Sequence, residues 1–362
     1  MISLTRNNNF DFLRFLAATM VILTHSYALT GNDSQEVLVR LTHGQWTLGG
    51  LAVAVFFMIS GFLVSHSYLN SKDISEFILK RFLRIFPGLA VVILLSAFLL
   101  GPIISELTPK EYFTHPQTYH YLHTIVLFPI EYVLPGVFGS NLYPNAVNGS
   151  IWTIPYEVLC YIGVCLLGGF GFFKQKKTLI ALFLIIFCVM SYLPESILIT
   201  TKNGITIRYL LELSCYFLVG AIFYFYHNKI KYNYLYLALS LVVLIYCSYQ
   251  NEFKNAFMLA GAYVVFHFAF DTNIKLSNFS KYGDFSYGLY IYAFPVQQLV
   301  QHLTINSVGF KGNFLISFVI TLILAFLSWH IVEKNFIKKK SYFYTTLKRF
   351  QKDVSLASNN AK

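Results

Sequence analysis

Apolar residues along the chain gather into ten stretches, at about 10–29, 47–68, 84–101, 151–171, 178–199, 207–226, 232–249, 255–271, 285–305 and 312–333. Each approaches the roughly 17–25 residues that a helix needs to cross a hydrocarbon core. Short polar or basic connections separate them, with one exception at 102–150. The pattern predicts an all-α polytopic membrane protein of about ten transmembrane helices. A membrane domain would span 1–337, and a basic tail 338–362 would follow it. In the long connection the segment from Tyr121 to Phe138 is apolar but interrupted by Glu131 and two prolines. That suits a re-entrant or interfacial segment better than an eleventh span.

Composition agrees with this reading. The chain is 56% hydrophobic and 12% charged, about half the charge fraction of a soluble domain. Its net charge of +11 would suggest nucleic acid in a soluble protein. Here the basic residues fall into alternate loops, so orientation explains the excess and no nucleic-acid partner is expected. With the N-terminus inside, Arg6, Lys72, Lys80, Arg81, Arg84, Lys174, Lys176, Lys177, Lys229, Lys231, Lys275, Lys281 and the tail from Lys334 to Lys362 are cytoplasmic. The positive-inside rule then puts both termini in the cytoplasm, as an even number of spans requires. The first apolar run lacks a small-residue cleavage pattern and contains Arg14, which argues against a cleaved signal peptide. Five cysteines sit in apolar segments without metal-ligand spacing. His115, His120 and His123 are irregularly spaced and lack a paired carboxylate or Cys, so no metal is expected.

The first stretch carries the chemistry. Arg14 and His25 are eleven positions apart, almost three helical turns, and so share a face about 16 Å apart along the axis. Asp11 shares that face and is placed to neutralise Arg14. Ionisable groups inside a membrane normally face a protein interior or a wet cavity and mark function. Each alone also fits a plainer role, Arg14 as a headgroup anchor and His25 as a packing residue. In the second stretch, Ser60-Gly61 permits close helix approach. Lys80, Arg81 and Arg84 precede Pro87 at what reads as the start of the third span. Guanidinium groups at that spacing suit bidentate phosphate binding, or an ordinary positive-inside anchor. Glu157 lies a turn or more into the fourth span, after Trp152 and Tyr156. It enters from the face that His25 reaches, so a carboxylate–imidazole pair would orient the imidazole. Ser286, Tyr287 and Tyr290 open the ninth span and are candidates for lining a cavity.

These motifs together resemble the membrane acyltransferase 3 family of bacterial carbohydrate O-acyltransferases, O-antigen acetylases among them. The resemblance runs from Phe10 to Glu333. It rests on Asp11-x-x-Arg14 with His25, Ser60-Gly61-Phe62, Arg81-x-x-Arg84-x-x-Pro87, Trp152-Thr153-x-Pro155-Tyr156-Glu157, Ser286-Tyr287-Gly288-Leu289-Tyr290 and Ser328-Trp329-x-x-Val332-Glu333. Ala293 stands where many members have a His before the Phe/Trp-Pro, and Lys334-Asn335 replaces a closing Lys/Arg-Pro. The tail is too short for the esterase-like domain that some relatives append.

The resemblance implies transfer of an acyl group, usually acetyl from cytoplasmic acetyl-CoA, to a carbohydrate hydroxyl. The acceptor would be an O-antigen, exopolysaccharide, capsule or glycolipid, and the location a bacterial inner membrane. Arg81 and Arg84, with Lys80 and Arg14, would clamp the anionic head of CoA. His25 would act as the base, oriented by Glu157 or Asp11, or as a transient acyl carrier. A transporter or flippase also tolerates intramembrane charges, but no internal repeat supports it. No feature of the sequence defines an oligomeric state.

Overall fold

The computed structural model describes residues 8–360 apart from Thr272 and Lys275. Arg6, Lys275 and Lys362, counted above among the cytoplasmic basic residues, therefore lie outside the described residues. A helix occupies each of the ten predicted stretches: α1 Phe10–Leu29, α2 Leu48–Leu69, α3 Ile74–Leu95, α4 Ile154–Gly169, α5 Lys176–Tyr192, α6 Ile207–Tyr226, α7 Tyr234–Tyr249, α8 Ala262–Phe270, α9 Ser286–Leu303 and α10 Phe310–Ser328. An eleventh, α11, covers Lys340–Asn360 in the tail. Among the described residues, seven helices are long and apolar enough to cross a membrane. They contain α1, α2, α3, α4, α6, α8 and α10. The other three stretches fall short in length or in hydropathy: α5 has 17 residues, α7 has 16, and α9 carries Gln297, Gln298, Gln301 and His302. The only strands among the described residues are the two-residue pair Thr201–Lys202 and Ile205–Thr206. The chain is thus an all-α, multi-pass membrane protein. Apolar helices, rather than barrel strands, are the spanning elements of a bacterial inner membrane.

Helices α2 and α6 pack backbone to backbone. A Cβ on Gly61 would lie 1.9 Å from the Phe217 carbonyl oxygen, and one on Gly220 equally close to that of Met58. Small residues allow such approach where lipid supplies no hydrophobic drive between helices. Gly61→Val is expected to destabilise the bundle by about 3 kcal/mol or more, because the clash is with main chain that cannot rotate away. Thermal unfolding in detergent, read against Leu95→Val on the exposed surface, checks this.

The third helix begins ten residues earlier than its apolar run predicts. Asp73 caps it by accepting the Glu76 N–H at 2.8 Å, and Glu76 reaches back to the Lys72 N–H at 2.7 Å. Asp73 thus supplies the N-cap, and Glu76 ties down the residue just before it rather than closing a reciprocal capping box. Lys80 and Arg81 are consequently within the helix rather than ahead of its apolar run, Arg84 lies near its middle rather than at its start, and Pro87 is in its interior, not near its start. The long connection is structured rather than open. It folds into short helices at Pro109–Thr114 and Pro116–His120 and a 3-10 segment at Tyr121–Val126, with Tyr112, Tyr121, Leu127, Leu134 and Phe138 buried. Asn141 ties this cap to α9 through the Gln298 carbonyl at 3.0 Å and the Gln298 side chain at 2.8 Å.

The opposite, basic end carries α11, which lies along the start of α3. Tyr344 donates to Asp73 at 2.8 Å, and the Lys348 ammonium sits 2.8 Å from the same oxygen. The Lys348 hydrogen bond, joined by that from the Glu76 backbone, lowers the Asp73 carboxyl to about 2. This anchor stays charged throughout the neutral range, and its contribution is lost only as pH falls toward that value.

Candidate active site

Two cavities meet inside the bundle. One, of about 460 Å³, opens toward the basic end and is lined by Arg14, Lys80, Arg81, Arg84 and Lys340, with Glu157 and Asp284 as its acidic members. The other, of about 340 Å³, lies at the cap end and holds His25 among Trp46, Trp152, Tyr209, Tyr216, Glu212 and Lys254. Val53 and Tyr290 line both. The basic chamber and the aromatic one therefore adjoin at these two side chains.

An ion cluster floors the basic cavity. Asp284, just before α9, takes Arg14 Nη1 at 2.7 Å and Arg84 Nη2 at 2.6 Å on the same oxygen. Arg84 Nη1 also lies 3.8 Å from Glu333, which a π-helical turn at Trp329–Glu333 brings inward. Burial opposes the charge on Asp284, but Arg14 and then Arg84 outweigh it and hold the carboxyl below its ordinary range. Tyr287 and Trp329 flank the Arg84 guanidinium, with ring centroids 5.8 and 5.9 Å away. Ser286 donates to the second Asp284 oxygen at 2.6 Å. Arg81 sits over the Tyr161 ring at 5.7 Å, and its Nη2 reaches Ser67 at 3.3 Å.

At the aromatic end, the segment Gly149–Thr153 presents Ser150 to His25. Asn148 accepts the Ser150 N–H at 3.2 Å and donates to the Ile291 carbonyl at 2.8 Å. The Tyr290 hydroxyl donates to the Ser150 carbonyl, leaving the Thr153 hydroxyl to donate to Tyr290 across 2.6 Å. This framework leaves Ser150 Oγ 3.5 Å from His25 Nδ1. Phe294 packs edge-on against the imidazole at 5.0 Å. Gln297 fixes the same end of α1 by donating to the Ile22 carbonyl at 2.8 Å and the Ser26 hydroxyl at 2.7 Å.

Several sequence expectations need correction. Asp11 does not neutralise Arg14: it accepts the Ser280 hydroxyl, and Asp284 takes its place. Glu157 does not pair with His25. It belongs to the basic cavity, where it accepts from the Tyr161 hydroxyl and from Ser60 at 3.3 Å. Residue count gives a position along α4, but not the rotation of α4 about its axis. Tyr156 is buried, accepts the Thr206 N–H at 2.9 Å and lines neither cavity. Arg14, Ser60, Lys80, Arg81, Arg84, Ser286 and Tyr287 come together in the basic cavity, Trp152 lies in the aromatic one, and Tyr290 lies in both. Ala293, which replaces the expected His, packs in an apolar cluster with Ala18, Ile22, Leu289 and Ala325. Sequence reading missed Lys340, Tyr161 and Glu212. The last had a signal, a carboxylate within an apolar run.

Comparison with known proteins agrees with this architecture. A family described as an acyltransferase domain matches residues 7–330, and the chain belongs to that family. It is 32% identical to an O-acetyl transferase of Shigella phage Sf6, over 93% of this chain and 98% of the relative. It is 26% identical to nodulation protein 10 of Rhizobium leguminosarum bv. viciae, over 92% and 94%. A shorter match, 31% identical over 27% of this chain and 25% of the relative, is to the acyltransferase MdmB of Streptomyces mycarofaciens. No solved structure matches. The protein is therefore a membrane acyltransferase.

Proposed function

We propose that the protein moves an acetyl group from cytoplasmic acetyl-CoA to a hydroxyl of an extracytoplasmic or lipid-linked carbohydrate. The observation that carries this is the adjoining pair of cavities, one basic and one holding His25, which share Val53 and Tyr290 as lining residues. The basic cavity suits the donor. Five cationic side chains against two anionic ones match a head group bearing a pyrophosphate and a ribose phosphate. The aromatic cavity suits the acceptor, since Trp and Tyr faces cover the apolar faces of a sugar while Glu212 and Thr24 offer partners to its hydroxyls. The similarity to the O-acetyl transferase of the phage supports acetyl as the group transferred and oxygen as its destination.

An alcohol is a weak nucleophile, so a base must take its proton during attack. With Nδ1 directed at Ser150, the Nε2 of a neutral His25 receives that proton. The hydroxyl oxygen bonds to the thioester carbon, the carbon–sulfur bond breaks, and the thiolate leaves to be protonated from the imidazolium. Arg14 and Arg84, charge-balanced by Asp284 and Glu333, order the floor of the donor cavity, Lys80 and Arg81 meet the phosphates, and Glu157 holds Tyr161 and Ser60 along the path of the thioester arm. Ten spans with both termini cytoplasmic fit this direction of transfer, as does one acyltransferase domain over 1–337 followed by the basic tail 338–362.

Membranes with and without the protein, given acetyl-CoA labelled in the acetyl group, test the proposal. Label is expected in base-labile esters of the host glycans only where the protein is present. Unconsumed acetyl-CoA beside abundant glycan would overturn it.

A further inference from the structure

The basic cavity is not closed by membrane helices alone. Ile337 and Lys340 line it, and both lie beyond residue 330, where the family match ends. Helix α11 is held in place by the paired contacts of Tyr344 and Lys348 with Asp73, and Gln351 adds a longer contact of 3.4 Å to Ser75. Its first residue, Lys340, sets its ammonium 3.3 Å from Glu76 Oε1. The Lys80 ammonium reaches that same oxygen, also at 3.3 Å. Glu76 is a fixed point, since its other oxygen caps the start of α3. Two cations from opposite ends of the sequence thus flank one carboxylate oxygen at the rim of the cavity.

A second observation concerns capacity for an anion. Arg14 and Arg84, on the floor, already spend their shortest contacts on Asp284. Arg81 does not: its Nε is buried without a hydrogen-bond partner. A buried guanidinium N–H without an acceptor is costly, and an anionic ligand is the natural acceptor for it. Lys80 and Lys340 each have three donors, of which Glu76 engages one, and Lys80 gives one more to Ser71 at 2.9 Å. Cationic donor capacity is therefore concentrated at the mouth, and α11 supplies part of it.

We propose that α11 is a working part of the donor site, in which Lys340 joins Lys80 and Arg81 in binding the phosphates of acyl-CoA. This rests on the acyl-CoA reading of the preceding subsection. The contacts of Tyr344 and Lys348 with Asp73 are the strap that places Lys340. Glu76 is the counter-ion that holds the two lysines apart and aligned until phosphate arrives. Because lysine–carboxylate contacts at a surface are individually weak and screened by salt, the strap is releasable. Donor affinity then depends on ionic strength through the strap as well as through the phosphates.

The test compares two donors that share a thioester arm and differ in phosphate. Binding of labelled acetyl-CoA to the full chain in detergent is measured directly, and S-acetyl-pantetheine, which lacks phosphate, is measured by competition. Lys340→Ala is expected to weaken acetyl-CoA about tenfold and to leave S-acetyl-pantetheine within about twofold of wild type, with Lys340→Arg restoring most of the loss. Asp73→Asn, which loosens the strap without substituting any cavity-lining residue, is expected to weaken acetyl-CoA by a smaller factor. Unchanged acetyl-CoA binding by Lys340→Ala would overturn the inference while leaving the acyltransferase reading intact. Equal loss of both donors would also overturn it, by showing damage to the fold rather than to phosphate binding. Failure of the wild-type protein to bind acetyl-CoA would instead remove the reading on which the inference stands.

Discussion

His25→Ala is expected to lower acetyl transfer by about 10³-fold while acetyl-CoA binding stays within about twofold of wild type. The size follows from losing a positioned general base, which contributes on the order of 10²–10⁴ in rate. The separation of the two effects follows from geometry, because His25 lines the aromatic cavity and not the basic one. Steady-state transfer and equilibrium donor binding, measured on the same preparation, check both halves. A fall in donor affinity equal to the fall in rate would mean that the imidazole belongs to the donor site instead. Quenched reactions with donor alone add a separate reading: acetyl-His25 accumulating there would convert the base into a covalent carrier.

Asp284→Asn is expected to be nearly as damaging, for a different reason. Asp284 is the shared counter-ion of Arg14 and Arg84, and these side chains keep only 15–20% of their exposure. Removing one partner from a largely buried ion cluster leaves charge uncompensated and typically costs about 3–5 kcal/mol. Here the loss is expected near the low end, since Glu333 remains 3.8 Å from Arg84. The midpoint of thermal unfolding in detergent should fall and transfer should be lost with it, while Asp284→Glu recovers part of both. An unchanged midpoint would show that the two arginines do not need this carboxylate to be held. Because the pair sits on one oxygen, the Arg14→Ala and Asp284→Asn losses should not add.

Much of this architecture was legible in the chain. Ten apolar runs mark ten helices, and the eleven-residue spacing of Arg14 and His25 places two polar groups at different depths of one helix. What the pattern hides is lateral. Lys80, Arg81 and Arg84 read as the cytoplasmic start of the third span because charged residues are expected at its edge. They are helical because Asp73 and Glu76 cap the chain ten residues earlier and because Asp284 and Glu333 offset the arginine charge. The partner of Arg14 is 270 positions away, and no local signal distinguishes it from Asp11, which is only three away. Glu157 shows the same limit. Its place a turn or more into the fourth apolar run was readable, but its direction toward Ser60 and Tyr161, rather than toward His25, depends on how α4 packs among its neighbours. The glycine contacts of α2 with α6 were half visible, since Ser60-Gly61 signalled close approach while Gly220 gave no sign of being its counterpart.

The central claim is that an acetyl group enters from the basic cavity and leaves from the one that holds His25. Inside-out membrane vesicles test it most directly, with labelled acetyl-CoA supplied only on the exposed cytoplasmic face and glycan confined to the lumen. Wild-type vesicles are predicted to place label in base-labile luminal esters, and vesicles carrying His25→Ala at matched expression to place almost none. Label appearing only on glycan at the exposed face, or transfer by His25→Ala at the wild-type rate, would contradict the account.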